Sequence, residues 1–140
     1  WRDSCAAIGL TPEEGVTLAS IVEREGMVDS ERPLIAGVFL LRLRRGMRLE
    51  SCATVQYALG EVRSRLLYRD LEVQSPFNTY LHPGLPPSAI CSPGAASLRA
   101  VVAPDTSSGY LFFVSRGDGS GLHLFAVTAA EHGRNIESVR

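Results

Sequence analysis

A single α+β domain is predicted for this chain by three features of its 140 residues: a helix-patterned first third with clear capping signals, a middle stretch crowded with prolines, and two short apolar runs joined by glycines near the end. Trp1-Arg2-Asp3 reads as the end of a helix. Thr11-Pro12-Glu13-Glu14 opens the next one: a hydroxyl N-cap, proline at the first helical position, then two acids that suit the positive end of the helix dipole. This helix is expected to run to about Gly26. Ser30 is expected to cap a second helix that tolerates Pro33 in its first turn, carries Leu34, Ile35, Val38, Phe39 and Leu41, and stops at Gly46. Arg42, Arg44 and Arg45 complement its negative end.

Further along, residues 47–49 are expected to form a short strand and residues 54–59 a short helix. Residues 74–94 hold Pro76, Pro83-Gly84, Pro86-Pro87 and Pro93-Gly94, too many breakers for regular structure. An irregular stretch of that length inside a compact domain is usually functional. Residues 95–102 read as a helix ended before Pro104, and residues 110–114 and 122–126 as strands. Between the strands, Gly117-Asp118-Gly119-Ser120-Gly121 is a hairpin turn; it lacks the Lys-Ser/Thr of a phosphate loop and does not precede a helix. Thr128 is expected to cap a last helix.

Composition excludes several function classes. The apolar fraction of 45%, charged fraction of 21% and net charge of −1 are ordinary for a globular domain and offer no electrostatic grip on nucleic acid or anionic lipid. All 14 basic residues are arginines, a bias given no functional weight. No apolar run is long enough to span a bilayer. With no charged-then-apolar leader at its start, the chain is expected to be a domain excised from a longer protein whose targeting segment lies elsewhere. Cys5, Cys52 and Cys91 lack zinc-site spacing, and His82, His123 and His132 lack both metal-ligand and nucleophile context. No metal or cofactor is expected, and the histidines are taken as structural.

The candidate chemistry lies in two carboxylates on the first long helix. On a helical wheel Glu23 falls between Ala19 and the pair Val16 and Met27, whereas Glu25 falls between Ile21 and Leu18, on the opposite side. One cleft can therefore hold only one of them. Ala19, a turn before Glu23, leaves room for a ligand; bulky Ile21 and Leu18 suit a Glu25 buried in structural pairing with an arginine. Thr17, Ser20 and Arg24 fall on the natural solvent face. An apolar setting is expected to raise a glutamic acid above its ordinary pKa and keep it protonated, as protonation of a glycosidic oxygen requires. The residues alone leave open whether either carboxylate is catalytic or both make ordinary ion pairs. Glu50, Ser51 and Thr54, with Asn78, Thr79 and Tyr80 in the proline-rich stretch, supply the carboxylate, amide, hydroxyls and aromatic face that a sugar polymer needs. Turn chemistry is the competing account of each.

In this order the motifs resemble a known family, the endolytic murein transglycosylases (YceG-like). Leu18-Ala19-Ser20-Ile21-Val22-Glu23-Arg24-Glu25 is close to that family's signature, and the segments starting at Val38, Gly46, Ser75, Gly84, Pro93 and Tyr110 follow in family order, as do His123 and Phe125. The resemblance covers roughly residues 15–135. It implies a peptidoglycan substrate and non-hydrolytic cleavage between N-acetylmuramic acid and N-acetylglucosamine, ending in a 1,6-anhydro ring. By this analogy Glu23, the first Glu of the signature, is catalytic; the residue types themselves add Glu50, Ser51, Thr54, Asn78, Thr79 and Tyr80 as substrate contacts and Glu25 in support. It further implies an N-terminal membrane anchor outside these residues, action beyond the cytoplasmic membrane, and wall synthases as partners. Cys52 stands where an Asp is common and Glu50 where a Gln is common, which puts a second-carboxylate role in doubt. The resemblance brings Cys52 and Cys91 to loops near one cleft, so a disulfide between them is expected, with Cys5 free. A hydrolase using water and an inactive glycan-binding module are the alternatives.

Overall fold

The computed structural model of the chain describes residues 1–61 and 66–140 as six α-helices and one two-stranded antiparallel sheet. In chain order these are α1 (Arg2–Ala7), α2 (Pro12–Glu25), α3 (Arg32–Arg44), α4 (Cys52–Leu59), α5 (Ala95–Val102), β1 (Phe112–Ser115), β2 (His123–Ala126) and α6 (Ala129–Ser138). Two 3₁₀ turns, Asp29–Glu31 and Tyr68–Glu72, precede α3 and follow α4.

Helix α2 starts as its sequence dictates. The Thr11 hydroxyl accepts from the Glu14 N–H at 3.1 Å while the Glu14 carboxylate accepts from the Thr11 N–H at 2.9 Å, a reciprocal cap on two otherwise unpaired donors. Its turns then pack against α1, α3, α4 and α5, and Leu18, Ala19, Ile21 and Val22 are fully buried. Together with Ile35, Ala36 and Phe39 of α3, and Ala100 and Val101 of α5, they form the core. Each large apolar side chain sealed there contributes about 1.5–3 kcal/mol. The expected solvent face of α2 is not free: Thr17 and Ser20 are buried too. The Ser20 hydroxyl donates to the Thr17 carbonyl at 2.6 Å and accepts from the Ile90 N–H at 3.0 Å, so the proline-rich stretch lies across that face.

Helix α3 begins one residue later than expected. Ser30 sits in a 3₁₀ turn and makes no cap, and Glu31 is the N-cap. Gly37 lets α3 meet the backbone of residue 105, because a Cβ there would run into the Asp105 carbonyl oxygen. The expected strand at residues 47–49 does not form. Its backbone is held by an arginine instead of a neighbouring strand: Arg42 donates from Nη1 to the Arg48 carbonyl at 2.8 Å and from Nε to the Leu111 carbonyl at 2.7 Å. The same side chain thus ties α3 to the approach to β1.

Both expected strands form, slightly shortened, and pair with Phe113 opposite Phe125 and Val114 opposite Leu124. Phe113 meets Phe39 of α3 edge to face at 5.6 Å, which docks the sheet on the helical core. His123 and Glu31, both buried, join β2 to the start of α3 at 2.8 Å, a structural role as expected for this histidine. Helix α6, capped by Thr128 as expected, covers the sheet. Among the described residues, no helix is long and apolar enough to cross a membrane.

Candidate active groove

Helix α2 ends at Gly26, and its last turn carries both carboxylates. Their surroundings are the reverse of those expected. Glu23 Oε1 accepts from the Gly94 N–H at 2.8 Å and the Ser97 hydroxyl at 3.0 Å, and Oε2 lies 3.7 Å from Arg32 Nη2. Gly94 is the N-cap of α5, whose own side chain offers no acceptor, so Glu23 caps α5 from a neighbouring helix. The Gly94 N–H bond, aided by Ser97 and Arg32, outweighs desolvation and holds the Glu23 carboxyl below its ordinary value. The elevated acid expected at position 23 is therefore absent. Arg32 completes the clamp, donating to the Val22 and Glu23 carbonyls, to Ser97 and to Asp29.

Glu25 points into different company. Its Oε1 accepts from the Ser51 hydroxyl at 2.7 Å and the Ala53 N–H at 3.2 Å, at the N-terminus of α4. Among the described residues it pairs with no arginine, contrary to expectation, and Oε2 accepts no hydrogen bond. Glu25 lines a groove of about 230 Å³ with Val38, Phe39, Arg42, Leu49, Glu50, Ser51, Cys52, Tyr80, Leu111, Phe112, Phe113 and His132; Glu23 is not among the lining residues.

The six expected substrate contacts divide in two. Glu50, Ser51 and Tyr80 line the groove. Glu50 is the one described non-glycine residue with a left-handed backbone, at φ 52°, and its side chain is exposed. A glutamate held in that region costs free energy, and such cost collects at functional positions. Burial, aided by the contact with Cys52, pushes the Tyr80 phenol well above its ordinary value, so it stays a neutral donor.

Thr54, Asn78 and Thr79 instead lie beneath the surface, each at most 2% exposed. Asn78 donates through Nδ2 to the Leu71 and Val73 carbonyls, both at 2.9 Å, and accepts from the Tyr80 N–H at 2.9 Å. Thr79 Oγ1 accepts from the Ser51 N–H at 2.9 Å and pairs with the Thr54 hydroxyl at 2.8 Å. These three side chains satisfy buried backbone groups behind the groove, which is why they are turned away from a ligand. Sequence reasoning could list the polar residues of the segment but not which way each turns.

The expected disulfide is absent, and all three cysteines are free thiols. Cys52 Sγ lies at the groove, 3.3 Å from the Tyr80 hydroxyl, whereas Cys91 Sγ packs on α2 and donates to the Ser20 carbonyl at 3.3 Å. Burial raises both thiols above their ordinary value.

His132, taken from sequence as purely structural, also lines the groove, from α6. It stacks on Phe112 at 5.0 Å, burial and then Arg42 lower its pKa, and among the described residues its buried Nδ1 has no partner. Only the pairing of α6 with the sheet brings it there, so no local signal announced it. Among the described residues, no cluster of His, Cys, Asp or Glu could hold a metal ion.

Residues 1–138 match the model of the YceG-like family. The chain is 40% identical over 122 residues to an endolytic murein transglycosylase of Bacillus subtilis, a match covering 87% of this chain and 33% of that protein. A protein of the same name from Streptococcus pneumoniae is 35% identical over 132 residues, covering 91% of this chain and 24% of its own length. The chain thus spans a quarter to a third of these relatives. Its fold superposes on the crystal structure of a putative yceG-like protein from Listeria monocytogenes with a TM-score of 0.87 at 40% identity, covering 95% of this chain and 43% of that one.

Proposed function

Because the chain belongs to the YceG-like family, we propose that it is the catalytic domain of an endolytic murein transglycosylase, with Glu25 rather than Glu23 as the acid–base carboxylate. The observation that carries this reading is the contrast between the two side chains. Among the described residues, Glu25 lines the groove with no hydrogen bond on Oε2, while Glu23 is occupied in capping α5. An acid–base group must reach the reacting oxygen, and reach comes before pKa in choosing it.

The substrate is the peptidoglycan glycan strand. Protonated Glu25 donates to the oxygen linking N-acetylmuramic acid to N-acetylglucosamine, and that bond breaks. The carboxylate then accepts the proton of the muramic C6 hydroxyl as its oxygen attacks C1, closing the 1,6-anhydro ring. No water is consumed. Ser51 and the Ala53 N–H fix Oε1 and leave Oε2 to exchange the proton. Tyr80 offers a neutral hydroxyl to the sugar. The reaction proceeds on the outer side of the cytoplasmic membrane, with an anchor and synthase contacts supplied by the wider protein.

Glu50 supports a second reading. Two carboxylates in one groove are what a hydrolase needs to activate water. Mass analysis of digested strands separates the readings: products lacking the elements of water support the transglycosylase, and ordinary reducing ends the hydrolase. Intact strands would refute both and leave a glycan-binding module.

A further inference from the structure

The groove at Glu25 does not stop at Cys52. That residue also lines a second hollow of about 310 Å³, formed with Leu66, Leu67, Tyr68 and Leu71. The two hollows share a wall one residue from Ser51, the partner of Glu25. Among the described residues, no charged side chain lines the second hollow, in contrast to the other end of the groove, where Arg42, Arg48, Glu50 and Pro83 gather. Its most prominent member is Tyr68, 91% exposed, with Leu67 at 44% beside it. An aromatic ring so open gains little from burial in the folded chain, and its face is available to a ligand.

The backbone that carries the ring is held firmly. Tyr68 opens a 3₁₀ turn in which the Leu67 N–H donates to Asp70 Oδ2 at 2.7 Å and the Asp70 N–H donates back to the Leu67 carbonyl at 2.9 Å. From below, buried Asn78 takes the Leu71 carbonyl. A surface braced by buried polar groups loses little freedom when a ligand settles on it. Its described residues present an apolar, aromatic face, which matches the C–H face of a pyranose ring.

We propose that Cys52, Leu66, Leu67, Tyr68 and Leu71 form an additional sugar subsite, in which Tyr68 stacks on a ring of the same glycan strand that passes Glu25. The inference rests on the glycan-cleaving reading above. It adds that the strand continues past the cleavage point on the Cys52 side, so affinity depends on strand length.

The test uses the 140-residue chain carrying Glu25→Gln, so that ligands persist, and a ladder of peptidoglycan glycan oligomers from the disaccharide upward. Tyr68→Ala in this background should weaken the longest oligomers about three- to tenfold, the worth of one aromatic contact, and leave the disaccharide unchanged. Tyr68→Phe should restore long-oligomer binding, since stacking does not need the hydroxyl. The melting temperature should not move in either variant, given the exposure of the side chain. Long oligomers that bind equally with and without the ring would overturn the subsite while leaving the cleavage reading intact. So would a loss equal at every length. If no oligomer binds the Tyr68 protein at all, both readings fall together.

Discussion

Glu23→Gln separates the two carboxylates of α2 most cleanly, because its expected cost can be worked from three contacts. The amide oxygen can still accept from the Gly94 N–H and the Ser97 hydroxyl, now 2.8 and 3.0 Å from a carboxylate oxygen. Charge-assisted bonds of this kind are worth about 1.5–3 kcal/mol and neutral ones about 0.5–1.5, so each loses about 1 kcal/mol. The amide nitrogen would face Arg32 Nη2 at the 3.7 Å ion-pair position, donor against donor. Arg32 keeps Asp29 and two backbone carbonyls, so its charge is not stranded. The net expectation is about 1–3 kcal/mol, a fall of about 3–10 °C in melting temperature for a chain of this size. The effect has a pH signature. Because the folded carboxyl is held below its ordinary value of 4.5, its stabilisation is complete above that pH and is lost as pH falls through the folded value. Melting curves of the two proteins should therefore converge on acidification. Glycan cleavage, assayed well below both melting temperatures, should stay within about tenfold of the parent. An unchanged melting temperature with cleavage abolished would refute the capping role and return the chemistry to position 23.

Three further outcomes follow from the scaffold. Asn78→Ala strands the Leu71 and Val73 carbonyls and the Tyr80 N–H, and should cost about 2–4 kcal/mol in chemical denaturation; a neutral result would mean the side chain is not structural. Gly37→Ala drives a methyl group into the Asp105 carbonyl, and since that neighbour is backbone the expected loss is about 1–3 kcal/mol, checked by the denaturation midpoint. His132 has a lowered pKa in the fold, so stability is full above its ordinary value of 6.5 and declines as pH falls below it; His132→Phe, which keeps the stack on Phe112, should flatten this part of the melting-temperature profile.

The helices of the first third were legible because their information is local. The Thr11 cap, Pro12, and the periodic apolar residues of α2 and α3 all act within a turn or two. The limits of α5 and the cap of α6 were legible for the same reason. What failed was anything decided by a partner distant in sequence. Residues 47–49 have the length of a strand, yet Arg42 takes the Arg48 carbonyl that a neighbouring strand would have taken. Ser20 falls on a polar face of the wheel, but Ile90 comes across from the proline-rich stretch to bond it. The wheel put Glu23 and Glu25 on opposite sides of α2 and was silent on which side would be open. The small Ala19 suggested room beside Glu23, but Ala19 is sealed in the core, while Ser51 and Ala53 draw Glu25 to the groove. Residue type alone could not separate Asn78, spent on backbone carbonyls, from Tyr80, which lines the groove.

The most direct test of the account is the turnover of purified glycan strands by Glu25→Gln, with Glu23→Gln alongside. Replacing Glu25 keeps the shape and an acceptor for the Ser51 hydroxyl and Ala53 N–H but removes the group that gives and takes the proton. Acid–base assistance is typically worth about 10² to 10⁴ in rate, and here one side chain supplies both halves. The account predicts that release of 1,6-anhydro ends falls by at least that factor in Glu25→Gln, with the fold intact by circular dichroism, while Glu23→Gln retains most of its turnover. Near-normal release from Glu25→Gln would contradict it.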